Sequence, residues 1–328
     1  MFLKNYLKMI NKKHIGNISI SIFSIFLGIF FSEIFAKRFG LGNPLLYKSD
    51  NLVGYRLKPN QSILRRKNAL VSTDAEGFRI NPKAELDVNS NFLVFVGDSV
   101  TYGGSYIDNT NLFSSKYCDL FDKNFYCLNN GLNAWGVLNM GRFIANFDIY
   151  SKKNPSSLIL VILPGDEGRN LKSFSDTPFW DFPPKEPKAL NEIIRFVNKK
   201  YFLPSLKNYS KSQTGNSLNS NKKIISAIQR KTVWNELEEL LKKSKYPIYI
   251  AITPPKKWFE DKSNSKEVEI YNDFLKKISE VETVRKTCNL FDYISPSYQE
   301  DLYVDGVHLS NKGHELWAYK LKECFDNQ

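Results

Sequence analysis

Apolar positions along this 328-residue chain fall into two regimes. From Ile15 to Ala36 they form one stretch that carries no charge until Glu33. From Phe92 onward, short apolar runs alternate with stretches of helical period. The runs Phe92 to Val96, Phe125 to Leu128, Leu158 to Leu163, Ile248 to Ile252 and the fainter Cys288 to Phe291 read as strands, since each is short and bounded by turn-forming residues. Between them, Asn111 to Phe121, Val137 to Tyr150, Val233 to Lys243, Val268 to Ile278 and Asn311 to Cys324 read as helices. This alternation predicts an α/β domain whose parallel five-stranded sheet is covered by helices on both faces.

The first regime predicts a membrane anchor over residues 15–36. Twenty-two helical residues reach about 33 Å, enough for a hydrocarbon core of roughly 30 Å. The basic segment 1–14, with Lys4, Lys8, Lys12 and Lys13, outweighs Lys37 and Arg38 on the other side. The positive-inside rule then puts the N-terminus in the cytoplasm and the bulk of the chain outside, in the periplasm or at the cell surface. A cleaved signal peptide is the competing reading, although Ile34 two residues before Ala36 is a poor small-x-small cleavage match. Residues 37–90, rich in Asn, Pro, Gly and Lys, read as an irregular lead-in with one small hairpin, either packed on the domain or serving as a stalk. Within residues 91–328 one insertion, 171–223, breaks the alternation. Its aromatic part, Thr177 to Pro184, offers a substrate wall or lid, and Ser205 to Lys223 is a polar tract.

Composition changes this picture little. The net charge of +12 comes from lysines spread along the chain, and no finger, arginine-rich arm or RNP-like motif accompanies them, so nucleic acid is not an expected partner. The four cysteines all fall in the outward part. Local pairing of Cys118 with Cys127 and of Cys288 with Cys324 is one reading, and four reduced buried thiols is the other. No cysteine or histidine spacing suits zinc, and no metal or cofactor is expected.

Candidate chemistry sits in three separated stretches: Gly97-Asp98-Ser99-Val100-Thr101, Asn130-Gly131, and Asp305-Gly306-Val307-His308. A serine hydroxyl becomes a useful nucleophile when a base takes its proton and a carboxylate orients that base. Of the three histidines, His14 precedes the apolar segment, so a membrane would separate it from Ser99. His308 follows Asp305 by three positions, and His314 falls in a helix capped by Ser310. Ser99, Gly131 and the Gly165-Asp166 pair each follow a predicted strand, and ligand sites in open parallel sheets lie beyond the carboxyl ends of strands.

Taken together, these residues resemble the SGNH hydrolase superfamily, the GDSL-like esterases. Gly97 to Gly103 looks like its first block, Asn129-Asn130-Gly131 with Gly136 like its second, and Asp305 to Ser310 like its last. Gly54 to Pro59 followed by Glu76 to Arg79 is similar to the lead-in of membrane-anchored bacterial members. The resemblance implies a flavodoxin-like three-layer α/β/α sandwich in which Ser99 attacks an ester carbonyl, His308 takes its proton and Asp305 holds the imidazole. It also implies an oxyanion hole made by the N–H groups of Ser99 and Gly131 and by an Asn of the third block. Here that block reads Pro164-Gly165-Asp166-Glu167-Gly168-Arg169-Asn170, with Gly165 in the place of the Asn. The Gly165 N–H, a water, Asn133 or Asn170 are the available substitutes. The expected function is removal or transfer of an O-acyl group, such as O-acetyl, on an envelope glycan or another ester. A glycan-binding descendant without turnover and a lipid-directed acylhydrolase are the rivals. Asp98 reads as a structural acceptor, Asp166, Glu167 and Arg169 as a local ion-pair group or substrate contacts, and Trp135 and Trp180 as core residues or sugar platforms.

Overall fold

The computed structural model describes residues 12–42, 44–81, 91–121, 125–169, 189–197, 227–261 and 264–326. It divides into two compact units, one built from Met1–Pro44 with Lys185–Ser217 and the other from Leu45–Pro184 with Leu218–Gln328.

The first unit contains helix α1 (Lys12–Arg38) and the helix Ala189–Val197. Over Asn17–Arg38, α1 is long and apolar enough to cross a membrane. From Ile18 to Phe35 its large apolar side chains face outward on every side, with Ile20, Phe26 and Phe35 each about two-thirds exposed. A helix apolar all round and unburied by its own chain is suited to lipid rather than water.

The second unit opens with two antiparallel hairpins, β1 (Tyr47–Asp50) with β2 (Gly54–Leu57) and β3 (Ser62–Leu64) with β4 (Leu70–Ser72). The main sheet follows: β5 (Arg79–Ile80), β6 (Asn91–Gly97), β7 (Phe125–Gly131), β8 (Pro155–Ile162), β9 (Ile248–Ile252) and β10 (Val284–Asn289), in the order β10-β9-β8-β6-β7-β5. Five strands are parallel, as the alternation predicts, and β5 adds a sixth, antiparallel to β7 at the edge. With only two residues, β5 has no periodicity to read. The last strand also begins four residues before Cys288, because Arg285, Lys286 and Thr287 of this edge strand are not fully buried and need not be apolar.

The central strands are covered on both faces, which explains their nearly continuous apolar sequences. Val94, Val96, Leu158, Leu160, Ile248 and Ile250 share a core with α4 (Val137–Ala145), α5 (Ala227–Leu241) and α6 (Ser265–Ile278). Leu93, Phe95, Ile159, Val161 and Ala251 share the other with α3 (Phe113–Asp119) and α7 (Asn311–Asp326). Disulfides join Cys118 of α3 to Cys127 of β7 and Cys288 of β10 to Cys324 of α7. The four cysteines are thus paired locally rather than reduced.

From Leu45 the lead-in belongs to this domain. Tyr55, Leu57, Val71 and Phe78 are buried with Val94, Leu128 and Phe143. Arg56 lies over the Tyr150 ring at 4.5 Å and donates to the Glu76 carbonyl at 3.0 Å. Lys153 ties the lead-in to the end of α4's layer through Asp74 at 3.1 Å and Glu76 at 2.6 Å.

Candidate active site

Strand β6 ends at Gly97, where a Cβ would lie 2.1 Å from Thr101 Oγ1 and 2.8 Å from the Val161 carbonyl, so only glycine lets the chain turn there. Asp98 then caps the four-residue helix α2 (Ser99–Tyr102), its Oδ1 accepting from the Val100 N–H at 2.8 Å. The helix stops at Gly103, which takes a left-handed φ of 80°. Ser99 is therefore held at the head of a short, doubly punctuated turn beyond the carboxyl end of the sheet.

At the far end of the sequence, Val304 N–H donates to the His308 carbonyl at 2.9 Å and closes a tight loop. Inside it, Asp305 Oδ1 accepts from the N–H groups of Val307 at 2.9 Å and His308 at 2.8 Å. Its Oδ2 lies 2.7 Å from His308 Nδ1, and His308 Nε2 lies 2.9 Å from Ser99 Oγ. A carboxylate can only accept from Nδ1–H, so Nε2 is left with its lone pair toward the serine. Partial burial pushes the Asp305 carboxyl up, but the His308 and Val307 N–H groups and the imidazole outweigh it and leave it below the usual carboxylate range. The three residues named from sequence are brought together across 209 positions.

The predicted oxyanion donors fare differently. Among the described residues the Ser99 N–H makes no hydrogen bond, as befits the first turn of a helix. The Gly131 N–H instead donates to Asn129 Oδ1 at 2.8 Å, and a Cβ at 131 would come within 2.0 Å of the Tyr102 N. That glycine is required by close packing of β7 against α2, and its N–H is already taken. The Gly165 N–H, expected as a substitute for the absent Asn, donates to Glu167 Oε2 at 3.0 Å and to Tyr271 Oη at 2.8 Å. Asn133 Nδ2 donates to Tyr47 Oη at 2.7 Å. Asn170 and Trp180 lie outside the described residues, with the 171–188 and 198–223 parts of the insertion, the aromatic stretch Thr177 to Pro184 and the polar tract Ser205 to Lys223 included.

The other candidates are structural. Trp135 is fully buried in the core and is no sugar platform. His314, also fully buried, accepts from the Phe113 N–H at 3.1 Å through Nδ1 and stacks on the Phe113 ring, and burial pushes its pKa down to about 3. It is a neutral core residue.

Two arginines carry more than their sequence signal announced. Arg169 Nη1 lies 2.9 Å from Asp98 Oδ2 and 2.7 Å from Asp166 Oδ1 and donates to the Trp135 carbonyl at 3.0 Å, binding the loops after β6, β7 and β8 into one floor. Burial and the Asp98 charge push the Asp166 carboxyl well above its usual range, against the pull of Arg169. Arg79, fully buried, donates to Asn109 Oδ1 at 2.9 Å and to the carbonyls of Tyr102, Gly104 and Ile107, fixing the chain that leaves α2. The only visible trace of the second was an arginine in the lead-in likeness at Glu76 to Arg79.

No family model and no curated protein sequence matches the chain. Among solved structures, it is similar to a member of the lipolytic protein G-D-S-L family from Veillonella parvula, with 16% identity and a TM-score of 0.43 over 73% of this chain and 100% of that one. A catalytic mutant of an acetylxylan esterase from Geobacillus stearothermophilus gives 16% identity and a TM-score of 0.44 over 73% and 96%. A carbohydrate acetylesterase from Sinorhizobium meliloti gives 12% and 0.42 over 73% and 99%. At that level the likeness carries no functional argument, which rests on the arrangement of Ser99, His308 and Asp305.

Proposed function

We propose that this chain is a membrane-anchored, outward-facing serine esterase that removes or transfers an O-acyl group on an envelope glycan. The observation that carries the reading is the hydrogen-bonded series Ser99 Oγ, His308 Nε2, His308 Nδ1, Asp305 Oδ2, at 2.9 and 2.7 Å. In it, Ser99 Oγ attacks the acyl carbonyl as His308 Nε2 takes its proton, and Asp305 stabilises the imidazolium. The tetrahedral oxyanion receives the Ser99 N–H. Collapse expels the alcohol, which takes the proton back from His308, and leaves an acyl-Ser99 ester. Water, or a sugar hydroxyl in a transfer reaction, then attacks that ester with His308 again as base. Two disulfides in one domain support an oxidising compartment, and the apolar α1 supports attachment to a membrane. The glycan as acceptor is supported by that proposed location and by the family resemblance.

A second reading, a glycan-binding protein with little turnover, is favoured by the engaged N–H groups of Gly131 and Gly165. Two of the three implied donors, the replaced Asn and the engaged Gly131 N–H, are then missing. At about a hundred- to a thousandfold each they cost about ten-thousand- to a millionfold, against enzymatic accelerations of about 10^6 to 10^17, so turnover is expected to be reduced but measurable. Labelling with a fluorophosphonate decides between them. The expected result is stoichiometric modification of Ser99, lost in Ser99→Ala, together with release of acetate from acetylated sugars in preference to long-chain esters. A folded protein whose Ser99 stays unlabelled overturns the esterase reading.

A further inference from the structure

The unit containing α1 holds a piece of the insertion that the site chemistry does not use. The helix Ala189–Val197 begins against α1: the Glu33 carboxylate accepts from the Ala189 N–H at 2.8 Å and from the Leu190 N–H at 2.9 Å. Farther along, Glu192 Oε2 accepts from the Gly42 N–H at 2.7 Å. Beside these contacts runs an open groove of about 940 Å³, lined by Phe31, Ile34, Phe35, Phe39, Leu190 and Ile193 among others. Ile194, on the same short helix, is 55% exposed.

The position of Glu33 sets the depth at which this helix starts. It is the one acid in Asn17–Arg38, with Lys37 at 3.6 Å. From Glu33 to the basic pair Lys37 and Arg38 the helix rises about 6 to 8 Å at 1.5 Å per residue. In-plane amphipathic helices bury their apolar faces about 5 to 10 Å below the headgroup boundary, so the two depths agree. A carboxylate placed there is tolerated only with its acceptor sites filled, and here two helix N–H groups and a lysine fill them. The groove and Ile194 then continue the lipid-facing surface of α1 instead of exposing a new apolar patch to water.

We propose that Ala189–Val197 is a second membrane attachment, an in-plane helix at the lipid–water boundary whose groove with α1 is filled by lipid acyl chains. The chain thereby meets the bilayer twice, once before Leu45 and again within the insertion. This rests on the reading of α1 as a membrane span.

Spin-label depth measurements on the full chain test it. The described cysteines are all in disulfides, so one added cysteine can be labelled selectively. Phe26→Cys, Ile194→Cys and Ile228→Cys replace side chains that are 67%, 55% and 79% exposed, so each variant should fold. In vesicles of phosphatidylcholine and phosphatidylglycerol without other protein, relaxation by oxygen and by a water-soluble nickel chelate reports depth. The expected result is a deep label at 26, a label at 194 roughly 5 to 10 Å below the phosphates, and a water-exposed label at 228. A label at 194 as open to nickel as that at 228, with 26 still deep, overturns the second attachment alone. Nickel access at 26 as well overturns the span and the attachment together.

Discussion

Asp305 holds its histidine with one carboxylate oxygen and its own loop with the other. Asp305→Asn keeps the size of the side chain but favours the wrong imidazole tautomer, so kcat should fall about ten-thousandfold while the thermal midpoint changes little; steady-state kinetics beside calorimetry checks the pair. His314 makes a separate prediction. Its folded pKa, about 3, lies below the ordinary 6.5, so the unfolded chain binds the extra proton between those values. The contribution is complete above about 6.5 and is lost progressively as pH falls toward 3. His314→Asn, whose amide can still accept from Phe113, should therefore show a shallower decline of the unfolding midpoint between pH 7 and 4.5 than the parent. Residue identity made Ser99, Asp305 and His308 legible, because the chain has only three histidines and His308 alone follows a carboxylate by three positions beyond a strand-to-helix serine. The donors were not legible: nothing in a glycine's one-letter code says where its N–H points, and Gly131 and Gly165 spend theirs on Asn129, Glu167 and Tyr271.

Among elements, the floor beneath Ser99 depends on a guanidinium shared by three loops. Arg169→Met would leave Asp98 and Asp166 side by side without their cation, an arrangement that costs about 3 to 5 kcal/mol when a buried pair loses one partner. Urea unfolding should show this loss, and turnover should fall with it because Asp98 caps the helix that begins with Ser99. The Cys288–Cys324 bond closes 36 residues and pins α7, the helix that follows the His308 loop. Replacing both cysteines by serine should cost about 4 kcal/mol by the chain-entropy estimate, against about 2.5 for the nine-residue closure of Cys118 and Cys127, measured as shifts in unfolding midpoint. The parallel strands were readable because burial on both faces demands uninterrupted apolar runs. One of the two hairpins was expected from the lead-in and the other, with β5, was not, since strands of two to four residues carry too short a pattern.

For the molecule as a whole, the fate of the apolar segment bears on where the proposed chemistry would take place. If α1 is retained as an anchor, the intact mass of protein extracted from membranes should include residues 15–36, and washing with high salt or carbonate should not release it. A product beginning after Ala36 would point to a processed leader. The three layers were foreseeable from the order of runs and helical stretches, whereas the choice between packing and stalk for Leu45 to Phe78 was not, because its apolar residues, Tyr55, Val71 and Phe78 among them, are scattered rather than periodic.

Ser99 and His308, in hydrogen-bond contact, lie 209 positions apart in the sequence. Contacts of such separation form late, since a long loop must close before they are rewarded. Turnover should therefore return after far-ultraviolet circular dichroism when the denatured, disulfide-intact protein is refolded. A misthreaded strand between the two would part Ser99 from His308 without altering either group, so under the proposed function activity would double as a reporter that the sheet has been assembled in order.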